Sequence, residues 1–278
     1  MRAVSLHADV IVVTSRVWQT TCTVVRGPDS GRAAASAEAL EPGPNDEAFV
    51  IDSPVYPDEL EILPALLEQA GFPLAGLLVT HADWDHLLGR LAFPDTALGG
   101  APTTARRLAA EPGGAARALR DFDDEHYVVR PRPLSLGALQ VLPVPGRCEL
   151  GAGELELHPS GGHTADGMAV WIPWASVLVV GDYLSPVEIP SIESGGSVTE
   201  YLTTLERLGP LVRAAEHVVP GHGHVLDSAQ AMEILQADTR YLQELRERGA
   251  AAALPRAARS PAQRRRHAEN AALLAKRV

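Results

Sequence analysis

The chain has 278 residues, 46% hydrophobic and only 5% aromatic, enough for one large core or two small ones. Its 35 acids against 24 lysines and arginines give a formal net charge of -11. That balance excludes a general nucleic-acid binder, because counterion release needs a basic face. No run approaches the roughly 18–20 apolar residues of a membrane span, and two cysteines imply no disulfide framework. The opening MRAVSLHADVIVVTSRVW lacks the charged, apolar, small-residue order of a signal peptide. The expectation is a cytoplasmic protein with no membrane or nucleic-acid partner. Its only lysine is Lys276, so every earlier cation is an arginine.

In chain order, branched apolar runs predict strands over Val10–Val13, Trp18–Val25 and Ala48–Asp52. Residues 26–47, rich in Gly, Pro, Ala and Ser, exceed a normal hairpin turn and read as an inserted surface loop. A helix follows from Asp58 to Ala70, with Asp58 and Glu61 as a capping box and Gly71 as the stop. Leu77–Thr80 is a short buried strand. Thr103 to Arg120 reads as helix with a break at 112–114. From Tyr127 the text is β-like again: YVVR, LQVLPV, ELELH, MAVWIP and SVLVVGD. Ser197 with Glu200, and then Ser228, open two more helices. Strands, helices, strands, helices in halves of similar length predict two sheets face to face with helices outside. Residues 1–249 form the domain, and 250–278 a basic helical extension with a solvated charged face.

Four short motifs end predicted strands: His81-Ala-Asp83-Trp-Asp85-His86, Gly161-Gly-His163-Thr164, Gly181-Asp182 and Pro220-Gly-His222-Gly. Loops after strands are where a rigid sheet displays functional groups. Imidazole nitrogen and carboxylate oxygen suit borderline divalent metals without any thiolate. On a turning loop, positions 81 and 83 converge on one ion while 85 and 86 face another. Asp52 ends a strand on the same side and reads as a supporting residue. No Ser-His-Asp or Cys-His arrangement is visible, His224 reads as supporting or exposed, and the five remaining histidines match no motif.

These segments resemble the metallo-β-lactamase-fold superfamily, whose hallmark is His-x-His-x-Asp-His followed by His, Asp and His. The resemblance covers about residues 8–248 and includes Ile51-Asp52-Ser53, similar to the family's Ile-Asp-Thr/Ser turn. It implies an α/β (α+β) fold, the four-layer αβ/βα sandwich with two mixed sheets. It also implies a metal set: His81, Asp83 and His163 on a first ion, Asp85, His86 and His222 on a second, and Asp182 bridging. Asp83 departs from the pattern, which has histidine there. An anionic ligand offsets metal charge and makes bound water less acidic. Zinc remains the first expectation, with iron or manganese admitted by Asp83. A non-ligating Asp83 beside a weak or empty first site is the other reading. The flavo-diiron branch carries Glu at this position, but this chain has no flavodoxin-like domain.

Two cations roughly 3.5–4 Å apart can share a hydroxide and clamp a carbonyl oxygen. The expected activity is hydrolysis of a small ester, thioester, lactone or related acyl substrate, with Asp85 and Asp182 as catalytic residues. Trp18, at the site mouth, and Tyr183, Glu188 and Ile192, after the bridging aspartate, are expected to contact substrate. Trp84 is expected to pack beneath the metal loop. The alternatives are β-lactamase-like amide hydrolysis, an iron oxidoreductase such as a sulfur dioxygenase or diiron enzyme, and a non-catalytic metal-binding relative. Acidity argues against a nuclease, and the missing lysine against a lysine-anchored β-lactam carboxylate.

Overall fold

The computed structural model describes residues 1–28, 47–193, 195–255 and 260–275. Most of the proposed 26–47 insertion therefore lies outside the described residues.

A seven-stranded sheet runs in chain order from β1 (Arg2–His7), β2 (Val10–Thr14), β3 (Thr21–Arg26) and β4 (Ala48–Asp52) to β5 (Leu74–Leu78), β6 (Leu98–Gly100) and β7 (Leu139–Val141). Pairing is antiparallel through β4 and parallel from β4 to β7. The second sheet contains β8 (Gly146–Leu150), β9 (Gly153–Pro159), β10 (Met168–Ile172), β11 (Val177–Gly181), β12 (His217–Pro220) and β13 (Leu226–Asp227). Only β11 and β12 pair in parallel there.

The central strands are apolar on both faces because both are covered. In β11, Val177 and Val179 face the other sheet while Leu178 and Val180 face helices. Val10, Val12, Ile51, Leu78, Leu157 and Met168 complete the layer between the sheets. Outside the first sheet, α1 (Pro57–Ala70) and α4 (Gly114–His126) cover Val13, Val24, Val50 and Leu77. Outside the second, α5 (Val198–Ala214) and α6 (Ser228–Arg248) cover Leu178, Val180 and Val218. The short α2 (Gly89–Ala92) and α3 (Pro102–Ala110) follow β5 and β6. The expected four-layer αβ/βα sandwich is the fold observed.

Several local expectations shift. Helix α1 begins one residue earlier, and Glu59, not Glu61, closes its cap by accepting Tyr56 N–H at 3.2 Å. Asp227, not Ser228, caps α6, accepting Gln230 N–H at 2.8 Å. Trp18 and Gln19 are not strand: both have left-handed backbones (φ 49° and 55°) and turn the chain into β3. YVVR finds no partner strand; Tyr127 is a left-handed helix end and 93% exposed. The tail forms α7 (Pro261–Ala275), whose Arg264, Arg265 and Glu269 are exposed while Asn270 and Ala271 pack inward. Its Asn270 is wholly buried, accepting Ile192 N–H and donating to Pro190 O and Tyr241 Oη.

Candidate metal centre

The site forms where strands end. His81 follows β5, His163 follows β9, Asp182 follows β11 and His222 follows β12. Open α/β sheets place ligands at such strand ends. Residues Trp84–His86 form a single tight turn that swings Asp85 and His86 inward. Asp52, at the end of β4, has a left-handed backbone (φ 59°).

Three of the four imidazoles are held by a hydrogen bond at Nδ1. That of His163 lies 2.8 Å from Ser191 O, which can only accept, so Nδ1 carries the proton. Thr80 Oγ1 donates to Asp52 Oδ2 and therefore accepts from His81 Nδ1, at 3.0 Å. Thr20 Oγ1 donates to Val17 O and so takes His222 Nδ1 as its donor, at 3.4 Å. His86 Nδ1 lies 3.0 Å from Asp52 Oδ2 as an ion pair, with no hydrogen bond among the described residues. An oxygen behind each ring is the usual way a metal-binding histidine is oriented. All four Nε2 lone pairs are thereby turned toward one place.

That place is lined by carboxylates. Asp182 Oδ2 lies 3.3 Å from His163 Nε2 and 3.6 Å from His81 Nε2. Its Oδ1 lies 3.1 Å from His86 Nε2 and 3.3 Å from His222 Nε2. Asp83 Oδ2 approaches His81 and His163 at 3.3 and 3.2 Å, and Asp85 Oδ2 approaches His222 and His86 at 3.5 and 3.7 Å. Two groups result, His81–Asp83–His163–Asp182 and Asp85–His86–His222, the donor atoms of each within 4.8 Å of one another. Lone pairs facing carboxylate oxygens repel unless positive charge lies between them. His81 Nε2, His86 Nε2 and Asp182 Oδ1 are buried without a hydrogen-bond partner among the described residues. Burial opposes charging of His81 and His222, yet Asp182 and its neighbours raise both to about 9. Two nitrogen–oxygen donor sets sharing one carboxylate fit two divalent ions, with zinc, iron and manganese all compatible.

Glycine gives Asp182 its room. A Cβ on Gly221 would stand 2.2 Å from Asp182 Oδ1.

The centre opens on a cavity of about 1130 Å³ whose lining includes Trp18, Trp84, Arg107 and Glu188. Trp18 stands edge-on to Trp84 at 5.6 Å and is 49% exposed. Trp84 also packs, half-buried, against the core of the first sheet. Burial raises the Glu188 carboxyl above its ordinary range, against the pull of His222.

Two expected contacts lie elsewhere. Tyr183 is 2% exposed because its hydroxyl is consumed by the histidine loop: it donates to Gly161 O at 2.7 Å and accepts His163 N–H at 3.1 Å. Ile192 is buried in the core beneath α5–α7, where apolar burial draws it away from the cavity.

Sequence reasoning missed Arg107 and Asp166. Arg107 Nη1 donates to Asp166 Oδ1 at 2.9 Å and Nη2 to Asp83 Oδ1 at 2.5 Å. Asp166 also accepts Ala82 N–H and Thr164 Oγ1–H, each at 2.9 Å. Its place three residues after His163 was a usable signal; Arg107, inside a helix, had none. Gln263, Arg265 and Arg266 of α7 also line the cavity.

The profile of the Metallo-beta-lactamase superfamily matches residues 39–222. A "Metallo-beta-lactamase type 2" of Bacteroides fragilis is 37% identical over 65 residues, 23% of this chain and 26% of that protein. Another from Bacillus sp. (strain 170) is 31% identical over 80 residues, 28% of this chain and 31% of that protein. The chain thus spans between a quarter and a third of these curated relatives. A metallo-beta-lactamase structure from Pontibacter korlensis superposes with a TM-score of 0.58 at 18% identity, over 84% of this chain and 98% of that one. The DIM-1 metallo-beta-lactamase gives 0.54 at 18% identity, over 84% and 95%. Their likeness is one of fold. With the profile spanning well over half the chain and both donor groups assembled, this protein belongs to the metallo-β-lactamase superfamily.

Proposed function

We propose that the chain is a metal-dependent hydrolase of a small ester, thioester, lactone or related acyl compound. Two divalent ions, zinc first, would be held by His81, Asp83 and His163 and by Asp85, His86 and His222, with Asp182 between them. Asp182 carries this reading: each of its oxygens faces a different imidazole–carboxylate group. When bound, such an ion pair acidifies water and polarises an acyl oxygen.

The chain's own residues supply position. Asp182 keeps the two groups in register, and Asp85, which lines the cavity, takes a hydrogen bond from the attacking water and aims it. Trp18, whose ring lies 6.5 Å from that of His222, supplies an apolar wall. Glu188 is a polar member of the same lining. The open mouth lets water protonate the leaving group and admits a small-molecule partner.

Asp83 favours a second reading, an iron oxidoreductase, because a carboxylate hardens the first site. β-Lactam amide hydrolysis is favoured by the names of the similar relatives. Metal analysis of protein purified without added metal, with turnover assays on ester, thioester, lactone, β-lactam and phosphodiester panels, separates them. Zinc with ester, thioester or lactone turnover is the expected result. Iron with oxygen consumption establishes the oxidoreductase, and selective β-lactam cleavage the amidase. No turnover at full metal occupancy establishes a non-catalytic metal-binding protein.

A further inference from the structure

The carboxylate at position 83 is the chain's departure from its superfamily motif, and it is not solitary. Arg107 Nη2 reaches Asp83 Oδ1 at 2.5 Å, which leaves Oδ2 to face His81 Nε2 and His163 Nε2. The other arm of the same guanidinium, Nη1, reaches Asp166 Oδ1 at 2.9 Å. The Asp166 side chain is fully buried, and its second oxygen accepts Ala82 N–H, the residue between His81 and Asp83. Thr164, next to His163, donates to Asp166 as well. One planar fork on α3 therefore ties together the loops carrying three of the first group's donors. A guanidinium suits this because its donors are fixed in one plane; a single ammonium cannot span both carboxylates in that geometry.

Charge points the same way. An imidazole donor is neutral, so a bare carboxylate in its place adds a full negative charge beside Asp182. The Arg107 side chain is three-quarters buried, so water screens its pairing with Asp83 only partly.

We propose that Asp83 and Arg107 form one composite ligand where the superfamily motif has an imidazole, with Arg107 as the positioning residue that offers a single Asp83 oxygen to the first ion and offsets part of its charge. Shared with the buried Asp166, the one guanidinium charge offsets only part of the negative charge that the carboxylate adds, which moves the preference back toward zinc. This rests on the reading of the two donor groups as a two-ion centre.

The test is zinc stoichiometry and competitive-chelator affinity on the full chain, with the melting temperature of metal-stripped protein as a separate measure of folding. Wild type is expected to hold two zinc ions. Arg107→Met is expected to weaken the first by at least about tenfold, a typical loss when a ligand's supporting partner is removed. Asp83→His in the Arg107→Met background is expected to restore it, because a neutral imidazole needs no cation. Arg107→Met binding both ions as wild type does, or a double variant no tighter than Arg107→Met, would overturn the proposal. Weakening that merely tracks loss of metal-free stability, without rescue, would also overturn it. Should Arg107→Met not fold, Arg107→Lys decides: the proposal expects a weaker first zinc with folding retained, and unchanged affinity refutes it. A wild type that takes up no zinc refutes the two-ion reading itself, a failure visible before any variant is made.

Discussion

Four histidines from three separate segments reach the centre by one device, an oxygen behind the ring. For His163 that oxygen is a backbone carbonyl, for His81 and His222 a threonine hydroxyl already committed as a donor, and for His86 the Asp52 carboxylate. For His81, His163 and His222 the hydrogen bond at Nδ1 leaves Nε2 aimed inward. Asp182 is the member that no other residue replaces, since it alone faces both groups. Asp182→Ala should abolish cooperation between the two sites and lower turnover by more than about a thousandfold, the scale of losing a preorganised electrostatic group. Metal titration and steady-state kinetics check this; activity within tenfold of wild type shows that Asp182 does not bridge.

Among elements, α7 does more than extend the chain. Asn270 grips the backbone at Pro190 and Ile192, on either side of Ser191, whose carbonyl orients His163. Gln263 donates to Val187 O, and Arg266 pairs with Glu193 on the same segment. The terminal helix thus straps the loop that supports His163 and walls the cavity. Asn270→Leu keeps the volume but leaves a buried N–H and carbonyl unpaired, at a cost of roughly 1–3 kcal/mol for each. We expect a lower melting temperature, and zinc loss from the first site before the second. Equal loss from both sites would separate α7 from His163. The opposite flank is tied by Glu59, whose carboxylate accepts from Ser15 Oγ at 2.6 Å and Arg16 N–H at 2.9 Å, steadying the turn that carries Trp18.

Across the whole molecule, the two sheets meet so that their parallel strand ends converge on one edge, and the ions would cross-link them. Backbone bonds already cross that edge: Thr21 N–H donates to Gly221 O at 2.8 Å and Gly223 N–H to Gln19 O at 3.0 Å. Chelation removes the cross-link and the binding free energy coupled to folding. At free metal a thousandfold above Kd that energy is about 4 kcal/mol, enough to lower Tm by several degrees in a chain of this size. Calorimetry with and without chelator measures it, and zinc should restore the original Tm. An unchanged Tm would place the ions outside the load shared by the two halves.

The seven residues brought together were legible in the sequence because their motifs follow apolar runs and glycines stand beside His163, Asp182 and His222, a pattern local in the chain. The alternation of strands and helices carried the layer order for the same reason. What only the tertiary structure decided depends on residues far apart in sequence. Tyr183 and Ile192 sit beside the bridging aspartate in the chain, yet apolar burial and the histidine loop draw them inward. Position 83 shows the division most clearly. The sequence determined that an anion stands there and that the chain as a whole is acidic. Only folding decided that Arg107, on a helix 24 residues on, would meet that anion, because charge compensation depends on distance in space and not along the chain.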